Sequence, residues 1–163
     1  MPETTLNDMT TRLRVMQIIA AALIVGVLFF AGIAVVQTMS RPSGEPFLAY
    51  LAAGFAVMQV VLWGILPTVI SSGACRQLRR TAGLEEAGQT NALVGIYQTK
   101  MIVAMALLEA AAFFNLIAYM NCVYWWSLAV AGGLTILMAT GFPTQFRVDS
   151  WIETQQQSFD WDS

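Results

Sequence analysis

The chain contains no histidine. That absence removes a histidine-based catalytic triad, a histidine-ligated metal or haem, and an imidazole proton shuttle. Only two cysteines are present, Cys75 and Cys122, too few for a thiolate zinc site or a disulfide framework. Charge is scarce: 11% of the residues are Asp, Glu, Lys or Arg, under half of the roughly 25% carried by soluble globular domains. The net charge is −2, and no basic patch is large enough to follow a phosphate backbone, so nucleic acid is excluded as a partner. No nucleophile–base pair, phosphate loop or metal cluster can be assembled from what remains. The expectation is a protein that is not an enzyme and that holds no metal and no cofactor.

What the sequence has in abundance is apolar residues, 57% of the total. They fall into four long runs, at about 15–36, 47–70, 101–120 and 123–142. A helix crosses a bilayer in roughly 20 residues, so each run is a candidate span. The expected fold is all-α: one transmembrane domain over residues 1–163, with four helices arranged as two antiparallel hairpins. The first run is too long for the apolar core of a signal peptide. Ser40, Arg41, Pro42, Ser43 and Gly44 are turn formers between the first two runs. Pro67 is expected to kink the second, whose helix continues towards Arg80 and stops at Gly83. Residues 71–99 read as a loop at the membrane face, with Thr90 or Asn91 placed to cap the helix leading into the third run. Only Asn121 and Cys122 separate the third run from the fourth, which makes those two helices antiparallel neighbours. Gly141, Phe142 and Pro143 end the fourth.

The tail, 143–163, carries Ser150 and Glu153 at capping-box spacing. Val148, Trp151, Ile152 and Phe159 can form one apolar face, so a short helix lying at the membrane interface is expected. Orientation follows from the basic residues. Arg12, Arg14, Arg76, Arg79, Arg80, Lys100 and Arg147 fall on one side and Arg41 alone on the other. The positive-inside rule then places both termini in the cytoplasm. On this topology the two cysteines sit at opposite faces and cannot bond within one chain.

The first and third runs match at an offset of about 84 residues. Ile18 falls on Ile102, Ala20 on Ala104, Leu23 on Leu107, the doublet Phe29-Phe30 on Phe113-Phe114, and Ile33-Ala34 on Ile117-Ala118. The second and fourth runs both end in Pro-Thr, at Pro67-Thr68 and Pro143-Thr144. Two hairpins from one ancestor, or shared membrane composition, would give this pattern.

Glu109 is the one charged residue in the middle of a run. At mid-bilayer it costs at least ~2.5–3.5 kcal/mol, so it needs a partner or a function. At about 1.5 Å of rise per residue, Glu109, Gln59 and Thr135 all lie roughly 12–17 Å from the basic end. Asn115 lies about two turns further. Glu109 and Gln59 are expected to be direct neighbours inside the bundle, with Thr135 and Asn115 as further candidates for the same polar site. The site then either holds helices in register or binds and releases a proton or cation.

The segment Ala106-Leu107-Leu108-Glu109-Ala110, with the apolar residues after it, resembles the carboxylate-bearing helix of the ring-forming proteolipid subunits of rotary ATPases. The resemblance implies that Glu109 carries a transported proton or sodium ion and that two fused hairpins make the fold. Unlike that family, the chain has its carboxylate on the first helix of a hairpin and lacks a glycine-rich repeat in its first run. Four short helices with one membrane glutamate also look similar to small multidrug exporters, which implies substrate export. The remaining reading is a structural or accessory membrane protein. Its partners are the lipid bilayer and either further copies of the chain or the subunits of a membrane complex.

Overall fold

The computed structural model describes residues 3–42, 44–80 and 86–160. The described residues form five helices: α1 (Glu3–Thr38), α2 (Phe47–Arg80), α3 (Glu86–Cys122), α4 (Trp125–Thr140) and α5 (Gln145–Asp160). α1, α2 and α3 are each long and apolar enough to cross a membrane. α4 has 16 residues, about 24 Å at the helical rise, against a hydrocarbon core of about 30 Å. It qualifies only when joined to α5, from which it is bent by 65°.

The breaks between helices follow the local chemistry. Pro42 and Pro46 bracket the α1–α2 turn, and the Gly44 amide donates to the Cys122 carbonyl (3.0 Å). A side chain at Gly44 would crowd the Asn121 carbonyl at 3.1 Å, so the turn lies flat over the end of α3. Pro143 separates α4 from α5. Pro67, by contrast, sits inside an unbroken α2. α2 runs on to Arg80 as expected, whereas α3 begins earlier than expected, at Glu86, so the connection at 71–99 is mostly helix. Thr90 and Asn91 are therefore interior helical positions, and Gly83 lies outside the described residues. The turn expected at Asn121 and Cys122 is displaced to Val123 and Tyr124. Asn121 spends its side chain on the Ile117 carbonyl within the helix, and Val123 takes the left-handed conformation (φ 55°) that ends it. α5 starts at Gln145, five residues before the Ser150 cap expected for it.

Of the two expected hairpins, α3 and α4 pack together as consecutive neighbours and α1 and α2 do not. α1 and α2 barely touch, whereas α1, α2, α4 and α5 all pack on α3. The third apolar run is thus the axis of the bundle. Its buried positions Met101, Leu108, Asn115 and Cys122 recur every seven residues, with Met105 and Ala112 between them. That is the repeat of left-handed helix packing. The facing stripes are rich in small or polar side chains, Ala20, Val27 and Ala34 on α1, Ala49, Ala52, Ala56 and Gln59 on α2, Ser127, Ala131 and Thr135 on α4, with Met16, Leu134 and Met138 as their large members. Other bulky apolar residues point outward, among them Phe29, Val36, Phe47, Ile65 and Ile136. In lipid there is no hydrophobic force between helices. Small residues then mark the interface because they let backbones approach.

α5 turns back onto the bundle and buries Val148 and Ile152 in the same core that holds Cys75, Leu93 and Val94. Its apolar face is therefore occupied by protein, while Phe146 stays exposed; Phe159 lies outside the described side chains. Gln17 of α1 donates to the Pro143 carbonyl (3.1 Å), which ties the start of α1 to the end of α4. These contacts gather Arg12, Arg14, Arg76, Lys100 and Arg147 at one end of the bundle and leave Arg41 at the other. Arg79 and Arg80 lie in the last turn of α2, at the same end. Cys75 and Cys122 are both buried and not disulfide-bonded.

Candidate functional site

Glu109 follows Leu108, which faces the core. One turn later on the same side of α3 is Phe113, whose ring meets Phe30 of α1 edge-on at 5.3 Å between centroids. Glu109 therefore looks towards α1. It is half-buried rather than enclosed. Among the described residues it makes no hydrogen bond and has no charged neighbour to pair with. The expectation of a carboxylate buried inside the bundle is corrected: Glu109 sits at the bundle's margin. The reason is azimuth, since a residue next to a core position is turned about 100° away from it.

Gln59 does point inward. Phe55, one turn before it, packs edge-on against Phe114 at 5.2 Å, on the α2 side of α3. The register of α2 against α3 is set by Asn115, whose Nδ2 donates to the Ala52 carbonyl (3.2 Å) and to its own Ala111 carbonyl (2.9 Å). Two turns along α2 from Ala52 is Gln59, and two turns back along α3 from Asn115 is Leu108. Gln59 is thus level with Glu109, yet the two residues face different helices. No hydrogen bond joins them, and Gln59 Oε1 is buried without a partner. Thr135 lies in the core of α4, where its hydroxyl donates to the Ala131 carbonyl (2.8 Å). Asn115, expected as an outlying member, is the side chain that links two helices.

One participant escaped sequence reasoning. Ser127 is fully buried and its hydroxyl has no partner. Its signal was its place one turn before Ala131, on the small-residue stripe of α4. Asn115 Oδ1 is likewise buried and unpartnered. Gln59, Asn115 and Ser127 thus bring three unpaired oxygens to the interfaces of α2, α3 and α4. These side chains can hold helices together and can accept hydrogen bonds from small guests. Among the described residues no three Cys, Asp or Glu side chains converge as metal ligands would.

No protein-family model, no curated protein and no solved structure matches this chain. The functional reading therefore rests on the residues and their geometry.

Proposed function

We propose that the chain is a small polytopic membrane protein with four crossings, α4 and its bent continuation supplying the fourth, and that both termini are cytoplasmic. Its role is structural or accessory: a non-catalytic helical body that serves a larger membrane assembly or its own oligomer. One observation carries this reading. The polar groups inside the bundle that find a partner find it in the bundle itself: Asn115 across to the Ala52 carbonyl of α2, Thr135 and Thr38 back to the Ala131 and Ala34 carbonyls of their own helices. The bond between helices, from Asn115 to Ala52, is of a kind that averages about 0.6 kcal/mol in membranes and serves cohesion and register, while the threonine bonds are local to their own helices.

A second reading is kept because Glu109 has no partner among the described residues. A lone carboxylate at mid-depth, at the margin of the bundle, suits a proton- or ion-translocating subunit as well as a contact with another subunit. Carbodiimide labelling of the protein in proteoliposomes separates the two. The structural role expects labelling at Glu109, if any, to be indifferent to sodium ions, and no proton or sodium flux that depends on Glu109. Sodium-suppressed labelling, with flux lost in Glu109→Gln, would replace it with translocation.

A further inference from the structure

At the basic end of the bundle a cavity of about 140 Å³ opens between α2 and α4, with α3 as its floor. Its walls are apolar: Trp63 from α2, Met101 and Leu108 from α3, Leu137 and Met138 from α4. Its volume is close to that of an apolar cavity of about 150 Å³ that accepts a benzene ring, so the end segment of a hydrocarbon chain fits. The rim is different in kind. Lys100 and Tyr97 line it, and Trp151 of α5 meets Tyr97 at 5.4 Å between ring centroids, the rings tilted by 57°, with its own centroid 5.7 Å from the Lys100 ammonium. Arg147, one turn before Trp151 on the same face of α5, lies within electrostatic reach of Tyr97. Its guanidinium caps the α4 carboxyl end at Thr140 and retains further donors. The acids of α5, Asp149 and Glu153, lie two residues to either side of Trp151 and so are turned to the other side of that helix. Among the described residues Lys100 has no ion-pair partner; it has only the weaker attraction of the Trp151 ring.

The depth fits a lipid. Lys100 stands about 33 Å along α3 from its end at Cys122, at about 1.5 Å per residue, which is one bilayer core of about 30 Å. Its ammonium is therefore at headgroup level while the cavity lies just below it, among acyl chains.

We infer that this cavity is a binding site for an anionic phospholipid of the basic-side leaflet: the phosphate is held by Lys100 and Arg147, and one acyl chain enters between α2 and α4. Basic pockets between membrane helices recognise anionic headgroups by this combination of charge and apolar wall. The site depends on the protein being membrane-embedded and not on whether its role is structural.

The test is native mass spectrometry of the detergent-solubilised full chain with dioleoyl phosphatidylglycerol, dioleoyl phosphatidylcholine or inorganic phosphate added. The expected result is one phosphatidylglycerol retained per chain in preference to phosphatidylcholine. Retention should fall about five-fold in Lys100→Gln, the weight of one basic residue at an anionic surface, and recover in Lys100→Arg. Ala104→Phe, which fills the cavity, should also lose the lipid while keeping its circular dichroism spectrum. Equal retention of both lipids, indifference to Lys100→Gln, or displacement by inorganic phosphate alone would overturn the proposal. Survival of binding in a folded Ala104→Phe variant would overturn it too, because the lipid would then be held by surface charge only.

Discussion

Glu109 and Gln59 show how far a single residue can be located from sequence. Their common depth follows from the constant helical rise, and the register set by Asn115 and Ala52 agrees with it. Their facing does not follow, because in a run of uniformly apolar residues nothing but size distinguishes one side of the helix from another. With no shared partner, Glu109→Leu and Gln59→Leu should act independently. A double-mutant cycle read by unfolding in mixed micelles should be additive to within about 0.5 kcal/mol; a larger coupling would mean that the two side chains meet. Val123 gives a second residue-scale prediction. It holds φ 55°, a conformation that costs a residue with a Cβ about 1–2 kcal/mol and a β-branched one no less. Val123→Gly relieves that strain at a helix end, where left-handed glycine is favoured. The variant should unfold at a higher denaturant concentration than wild type, and a lower one would show that the Val123 side chain contributes more by packing than its backbone costs.

At the scale of the elements, helix ends were readable wherever proline or glycine punctuates the chain, as at Pro42, Gly44 and Pro143. They were misplaced where no such residue stands, as at Asn121 and Cys122. The short link at 121–124 made α3 and α4 neighbours, as they are, but the neighbours of α1 and α2 were hidden for a different reason. Adjacency in sequence suggested an α1–α2 hairpin, whereas the small-residue stripes Ala20-Val27-Ala34 and Ala49-Ala52-Ala56 each turn towards α3. The 84-residue offset places Phe30 opposite Phe114, yet in the bundle Phe30 meets Phe113 and Phe114 meets Phe55. Whatever the origin of the match, the first and third helices occupy different positions, one peripheral and one central. The packing makes its own prediction. Ala52 is fully buried beside Asn115, so Ala52→Leu should wedge α2 from α3 and destabilise by about 1–3 kcal/mol. Val57→Leu, on the exposed side of α2, should leave stability unchanged. Equal effects of the two substitutions would mean that the Ala52 face is not the packed one.

The whole molecule is a helical bundle whose axis is α3, with three helices long and apolar enough to cross a membrane. Its basic residues gather at one end, which predicts its orientation. In a background with Cys75→Ala and Cys122→Ala, an impermeant maleimide added outside cells should label Glu45→Cys and not Thr154→Cys; the reverse would invert the topology. The central claim is the arrangement of helices around α3, and it is tested most directly by cross-linking in native membranes with a short bismaleimide in that same background. Cross-links are expected for Phe30→Cys with Phe113→Cys and for Phe55→Cys with Phe114→Cys, and none for Phe30→Cys with Phe55→Cys. An efficient Phe30–Phe55 cross-link within one chain, with the two α3 pairs silent, would restore the α1–α2 hairpin and contradict the account.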